Sequence, residues 1–558
     1  MLALLLVAAF IRIFYISAAG YERDIELFKI WSETATLHGI TNIYEKTWCD
    51  YNPGFLYVLN VIGHIYQYFS PSFERDTYLF QFLIKLPSIL ADLAITALIF
   101  LQLRNKLGSK PALLSAAFFA FNPAIILNSA YWGQVDTVPT LIALLAIIAL
   151  KEDHFRLSVA LITTAILTKT QMVMLLPIIL FVTYKRRGLV ELASCLVVAW
   201  LSYVIIIFPF FIDGKAHIVV EKLLGAVGAY PFLSLNAYNF WWLISGGTAR
   251  DVLDTGYFYG LLSYKSIGLI MLGLLFALLI HHLNKKPLSE KKIYLCCALA
   301  FFGFFMLPTQ MHERYILPAL PFLLLASSES KSLKVVYALL SASIFFNLFV
   351  VLARTYPDNY PGLSALWLDS QIDIVISVVN VLLFSYLTYT MGKEVGGRQI
   401  LVIAFAMIFL ISATLVIRPH KPVLLSDTSP HYTSQQWGKM QVNKSVTGAR
   451  LSVNGHVFRR GIGTHANSYI DYHIDSRFRY LEGYVGISYS SNVGNKMRFD
   501  ILGDQQLLFS TGILQGVINP IYFKVSVDNI DTIRLVANDG GDGINNDHGN
   551  WLQMTLIP

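Results

Sequence analysis

Seven ionisable residues stand out because each lies at the edge of an apolar run rather than inside a polar stretch. Asp24 and Glu26 follow the first apolar run as a DxE pair, Asp50 opens DYNPG, and Asp136 closes YWGQVD. Lys169 lies in TKTQ, and His312 and Arg314 lie in MHERY. Charges this close to hydrocarbon are costly and tend to mark function. A carboxylate can take a proton from a hydroxyl, and Lys or Arg can hold a phosphate. The set suits transfer of a group from a membrane-anchored phosphate donor. Each residue also has a plainer role, as a helix cap, a solvated flank or, for Lys169, a side chain snorkelling to headgroups. Their gathering on one side of a membrane favours chemistry.

That gathering follows from the elements between them. The chain has 558 residues, 55% apolar and 14% charged, against about 25% charged in a soluble domain. The apolar residues form blocks up to about residue 417 and none of spanning length after it. This excludes a wholly soluble chain, a disordered one, and a nucleic-acid binder relying on the net charge of +7. A spanning helix needs roughly 17–25 mostly apolar residues. Candidate spans are 2–19, 79–103, 111–129, 132–150, 156–168, 171–184, 189–212, 262–283, 292–307, 315–327, 333–353, 372–391 and 399–417, thirteen in all. Loops such as RNKLGSK, YKRRG and NKKPLSEKK hold two to four Lys or Arg, while SAYWGQVD, TKTQ and PTQMHER hold one or none. Cytoplasmic loops carry the basic excess, so the N-terminus is expected inside and the tail outside. The first run lacks a basic start and contains Arg12, which favours a span over a cleaved signal peptide. Residues 54–70 read as an interfacial helix. Of four cysteines, Cys195, Cys296 and Cys297 lie in apolar runs, which argues against a disulfide framework.

The segments RDIELFKIWSE, DYNPGFLY, FNPAIILN with YWGQVD, SLNAYNFWWL and FFMLPTQMHERYILPALP resemble, in order, the signatures of GT-C glycosyltransferases. The nearest groups are bacterial mannosyltransferase-like proteins and the glucosyltransferases of lipid-linked oligosaccharides. The resemblance covers about residues 1–350, with Asn52 where the family usually has a second proline. It implies transfer of a sugar, a hexose, from a polyprenyl-phosphate carrier to a glycan or glycolipid acceptor outside the cytoplasm. It makes Asp24 the general base and leaves Glu26 to orient the acceptor or share a divalent ion with it. Lys169, His312 and Arg314 become the donor-phosphate ligands. Asp50, Tyr51, Trp132, Gln134, Asp136 and Asn236 become substrate-binding residues. No cofactor is required on this reading, because side chains can neutralise one phosphate.

From about residue 430 short alternating apolar runs separated by Gly, Asn and Asp turns indicate a β-sandwich. QWGKMQVNKSV, FRRGIGTHANSYIDYHI and IRLVANDGGDGINNDHGNWLQMTL resemble the NPCBM modules attached to glycoside hydrolases. The resemblance implies carbohydrate binding, with His465, Asp539, Asp542, His548 and Trp551 as candidates. Asp539, Asp542, Asn545 and Asp547 could hold Ca²⁺, although Asx turns in a long loop account for them more readily. No nucleotide-binding loop is present.

The expected architecture is a polytopic α-helical GT-C domain over 1–418, a linker over 419–432 and an all-β carbohydrate-binding sandwich over 433–558. The bilayer, a polyprenyl-phosphate donor and a glycan acceptor are the expected partners, nucleic acid is not, and the expected site is a bacterial plasma membrane. The competing classes are an inactive transferase scaffold, a transporter or a glycan receptor. A transporter favours ionisable groups at the bilayer midplane, and a receptor needs a cytoplasmic output domain.

Overall fold

The computed structural model describes residues 1–225, 228, 230–258, 262–285, 287–356, 371–393, 422–474, 478–488, 495–516 and 518–557. The chain divides into two compact units, Met1–Ile411 and Ser412–Pro558.

The first unit is helical. Among the described residues five helical stretches are long and apolar enough to cross a membrane: Tyr78–Leu107, Thr170–Ile212, Tyr264–Asn284, Lys331–Thr355 and Ile372–Gly392. A sixth is the pair Ser109–Ala120 and Pro123–Trp132, bent by 42°. The expected thirteen spans are not reached by this measure. Leu2–Phe14, Thr137–Lys151 and Phe155–Thr168 are apolar but shorter than the roughly 20 residues a perpendicular crossing needs. Candidate span 399–417 lies outside the described residues. The stretch Thr170–Ile212 has 43 residues, about 65 Å if straight and twice the hydrocarbon thickness. Gly188, with φ 77° and ψ −167°, breaks its helix within the basic YKRRG segment that separates two of the expected spans.

Local chemistry sets the breaks. Thr77 starts the helix Tyr78–Leu107 by accepting from Phe80 N at 3.2 Å, a capping bond for an otherwise orphaned donor. Asn122 accepts from Ala124 N at 3.0 Å and Pro123 takes the first helical position, so the chain bends there and restarts. The restart passes into a π-helical turn, Leu127–Trp132, a feature often found at functional sites. Gly133 closes it in the left-handed region with φ 88°.

Two amphipathic helices, Glu22–His38 and Pro53–Phe69, pack through Phe28, Trp31, Ala35, Phe55, Leu56 and Leu59. A side chain at Gly63 would meet Ser32 O at 2.7 Å, so glycine permits this close approach. The second helix is the one expected over 54–70. Ser234–Leu235 pairs in parallel with Met311–His312, joining two segments far apart in sequence.

The second unit is a β-sandwich. One sheet orders its strands Ile521–Ser526, Tyr480–Ile487, His548–Ile557, Gly461–His465 and Gln441–Val442. The other orders Gln506–Gln515, Lys496–Gly503, Thr532–Asn538, Ser468–His473 and Tyr432–Gln435. Trp551, Phe499, Ile501, Ile462 and Leu535 fill the core between them. The sandwich begins earlier than expected. Val423–Leu424, inside the stretch read as linker, pairs antiparallel with Leu556 and Thr555.

Candidate functional site

Asp24 lies in the first turn of Glu22–His38, where a carboxylate is stabilised by the helix dipole. Trp132 Nε1 donates to its Oδ2 at 3.1 Å, and Gln134 Nε2 donates to the same oxygen. Tyr21 stacks on Trp132 with ring centroids 5.0 Å apart and planes 4° from parallel. The π-turn and Gly133 therefore deliver two donors to one carboxylate oxygen. Both donors meet Oδ2 rather than Oδ1.

From Gln134 the contacts run to the cations. Tyr51 Oη donates to Gln134 Oε1 at 3.3 Å. Lys169 Nζ stands over the rings of Tyr51 and Tyr315, 5.9 and 5.7 Å from their centroids. It donates to Asp136 Oδ1 at 2.5 Å, and Gln171 Nε2 approaches the same oxygen at 3.4 Å. Arg314 Nε lies 3.9 Å from Asp136 Oδ2 and Nη1 lies 2.6 Å from Glu313 Oε1. Asp136 is 0% and Glu313 2% exposed. Among the described residues Asp136 Oδ2 and Arg314 Nε are buried without a hydrogen-bond partner, although they face each other.

The electrostatics follow from that packing. Burial pushes the Lys169 ammonium down in pKa, with Asp136 opposing. Against the cost of burial, Arg314 and His312 hold Glu313 down to about 2. Burial and then Arg314 lower His312, so a neutral imidazole sits beside a fixed guanidinium. Arg314 is held well above its ordinary value because Glu313, Asp24 and Asp136 outweigh its burial. Asp50 is open to solvent yet hemmed in by protein, which raises its pKa, while Arg314 pulls it down.

The structure thus brings together Asp24, Tyr51, Trp132, Gln134, Asp136, Lys169 and Arg314. His312 lies alongside, its Nδ1 3.8 Å from Glu313 Oε2. Asn236 bridges to His312 through the backbone and accepts from Arg250 Nη1 at 3.2 Å. Glu26 is not in the set: it pairs with Arg75 at 3.4 Å. Residues two apart on a helix point to different faces, so the DxE pair separates. Glu313 was missed, although an acid between two bases in MHERY was its signal. Asn52 donates to Ile166 O at 3.0 Å and Thr170 Oγ1 at 2.8 Å. The residue standing for a second proline thereby ties the DYNPG turn to the segment bearing Lys169.

On the sandwich, Trp437 is 51% exposed and packs over His465 and His548 with ring centroids 5.1 and 5.5 Å away. The two histidines are 5.2 Å apart. A half-exposed indole on a fixed base suits stacking against a sugar face. Trp437 was absent from the candidates. Trp551 corrects in the opposite direction: it is 0% exposed, packs on Phe499 and belongs to the core. Alternation along His548–Ile557 turns it inward. Asp539 Oδ1 accepts from Gly541 N at 3.0 Å, an Asx turn, and Asp542 and Asn545 are exposed. Among the described residues no three Asp, Glu, His or Cys side chains converge as a metal site.

Two family models match the chain. One, described as dolichyl-phosphate-mannose-protein mannosyltransferase, matches residues 46–212, which hold Asp50, Tyr51, Trp132, Gln134, Asp136 and Lys169. The other, NPCBM/NEW2 domain, matches residues 421–557. Among curated proteins, alpha-1,3-galactosidase B of Akkermansia muciniphila is 28% identical over 126 residues, which are 22% of this chain and only 16% of that protein. Among solved structures, CBM51 of Clostridium perfringens GH95 in complex with methyl-galactose is 29% identical. It covers 25% of this chain and 100% of that one, with a TM-score of 0.24. Arabinosyltransferase EmbB of Mycobacterium smegmatis is 10% identical, covering 100% of this chain and 64% of its own, with a TM-score of 0.31. Within its helical unit the chain therefore carries a segment, residues 46–212, like the dolichyl-phosphate-mannose-protein mannosyltransferases, and its C-terminal residues 421–557 match the NPCBM/NEW2 domain.

Proposed function

We propose that the membrane domain transfers a sugar from a polyprenyl-phosphate carrier to a glycan or glycolipid acceptor on the outer side of a bacterial plasma membrane. Asp24 Oδ1 takes the acceptor hydroxyl proton as that oxygen attacks the anomeric carbon. The bond from that carbon to the lipid phosphate breaks, and its electron pair stays on the phosphate. Lys169 and Arg314 neutralise the charge that develops there, a task for donors fixed in a water-poor site. The observation that carries this reading is the unbroken contact path Asp24–Gln134–Tyr51–Lys169–Asp136–Arg314, which links a carboxylate to two cations. Tyr21 and Trp132 offer a stacked aromatic wall beside the base. The sandwich holds acceptor or product glycan, and its use is to raise the local concentration of acceptor.

The test is transfer of labelled sugar from mannosyl-, glucosyl-, galactosyl- and arabinosyl-phosphate polyprenols to extracted surface glycan by purified full-length protein. Wild-type turnover that falls about 10²–10⁴-fold in Asp24→Asn supports the base. Turnover that survives Asp24→Asn removes that assignment. No turnover with any donor favours a scaffold that only binds glycan.

A further inference from the structure

The helix Tyr78–Leu107 carries a polar stripe that an apolar span does not need. Gln81, Lys85, Ser88, Asp92 and Thr96 recur at intervals of four, three, four and four residues, which places them on one helical face. Lys85, Ser88, Asp92 and Thr96 are each 0% exposed. A buried ammonium and a buried carboxylate are expensive in a membrane domain, so something must gain from them.

What they touch is specific. Lys85 Nζ donates to three backbone carbonyls: Ile16 O at 3.1 Å, Ala18 O at 2.9 Å and Tyr131 O at 3.1 Å. That uses all three donors of an ammonium and leaves none for a ligand. Gln81 Nε2 reinforces the first two carbonyls at 2.6 and 2.8 Å. Deeper along the stripe, Asp92 Oδ2 accepts from Arg12 Nε at 2.8 Å and Ser129 Oγ at 2.6 Å. Arg12 Nη1 also reaches Ala120 O at 2.9 Å. Thr137 Oγ1 donates to Ser88 O at 3.2 Å. The stripe therefore grips two separate segments, the end of the first helix with its exit and the π-turn. Both lead directly to the base. Tyr131 precedes Trp132, Tyr21 N donates to Trp132 O at 3.3 Å, and Asp24 N donates to Tyr21 O at 2.9 Å.

We infer that Gln81, Lys85 and Asp92 are positioning residues that hold the Trp132–Gln134 donors against Asp24, an inference that rests on Asp24 as the base. They touch no substrate. Their work is to fix the register of the two segments, so that the carboxylate oxygen accepting from Trp132 and Gln134 is set before substrate arrives. Placement of this kind matters because a shift of about 1 Å at a remote brace can cost 10²-fold in rate.

The experiment compares wild type, Lys85→Met, Lys85→Arg and Gln81→Leu as full-length protein in nanodiscs. Lys85→Met is expected to lower kcat about 10²-fold with donor KM little changed. Lys85→Arg keeps donors at the site and recovers part of the loss. Gln81→Leu leaves the Lys85 bonds in place, so it gives a smaller change of the same sign and serves if Lys85→Met does not fold. Amide hydrogen exchange separates this inference from the transfer reading: residues 16–21 and 131–134 exchange together, about tenfold faster or more in Lys85→Met, while Pro53–Phe69 does not change. Unchanged exchange in those two segments overturns the brace whether or not wild type transfers sugar. Faster exchange with kcat unchanged in a transferring protein overturns the link to Asp24.

Discussion

The two candidate sites sit at opposite extremes of burial. In the membrane domain Asp136 and Glu313 are 0% and 2% exposed, and the side chains of Lys169 and Arg314 are 12% and 14% exposed. On the sandwich the indole of Trp437 is 51% exposed over two histidines. On the proposed function the contrast follows from what each site does. Charge developing on a leaving phosphate is best met by fixed partners where water cannot screen them. Holding a finished glycan needs only an apolar ring open to a sugar face, since the hydroxyls keep their water. Burial costs the first site a network in which Lys169, Arg314, Asp136 and Glu313 each stand beside an opposite charge. Exposure leaves the second site with one ring that can be removed without disturbing a fold.

The largest test of that contrast is Arg314→Lys. Lysine keeps the charge but loses the planar fork that faces Glu313 and Asp136 together. The expected loss is about 10²-fold in kcat/KM for donor, with glycan binding by the sandwich unchanged. Steady-state transfer assays and a thermal scan of the same samples check it. Transfer that stays near wild type would make the buried network a structural feature, and the contrast between the sites would fail.

A smaller effect is expected on the other side. Trp437→Ala should weaken glycan binding by about 2 kcal/mol, the cost of losing a stacking anchor, read by calorimetry with surface glycan. Transfer to a small acceptor at saturating concentration should not change. Binding that survives moves the sugar site away from the Trp437–His465–His548 cluster.

Much of this was legible in the residues, and the failures have physical causes. Asp24, Asp136, Lys169 and Arg314 were visible because a charge at the edge of an apolar run has few bland explanations. Glu26 was grouped with Asp24 by its spacing alone, and the helical period turns it towards Arg75. Lys85 and Asp92 were passed over because single polar residues inside a long apolar run read as part of the span. Their spacing with Gln81 was the available signal. Both tryptophans of the sandwich were misjudged, because sequence alone does not say which face of a strand a ring takes. Trp551 lies on the core side of a central strand, while Trp437 lies outside any strand. Counting apolar runs separated helices from sheet correctly, but it gave more spans than there are helices of crossing length among the described residues. Several runs fold as shorter helices that carry the site's loops.

The smallest expected effect is a stability change confined to the sandwich. Asp547 is 1% exposed, with Oδ2 unpartnered. Burial, followed by the charges of Asp542 and Asp539, raises its pKa to about 7. A carboxyl raised in the folded state binds its proton more tightly there than in the unfolded chain. The folded form therefore holds more protons between the ordinary Asp value near 4 and about 7, and stability falls as pH rises through that window. Asp547→Asn replaces the charge with a neutral amide of the same shape. At pH 8 it should raise the Tm of residues 412–558 by a few degrees, on the order of 1 kcal/mol in a domain of this size. At pH 4, where the wild-type carboxyl is protonated, the two should melt together. A gain that is equal at both pH values would show that packing, rather than a desolvated charge, limits the sandwich at this position.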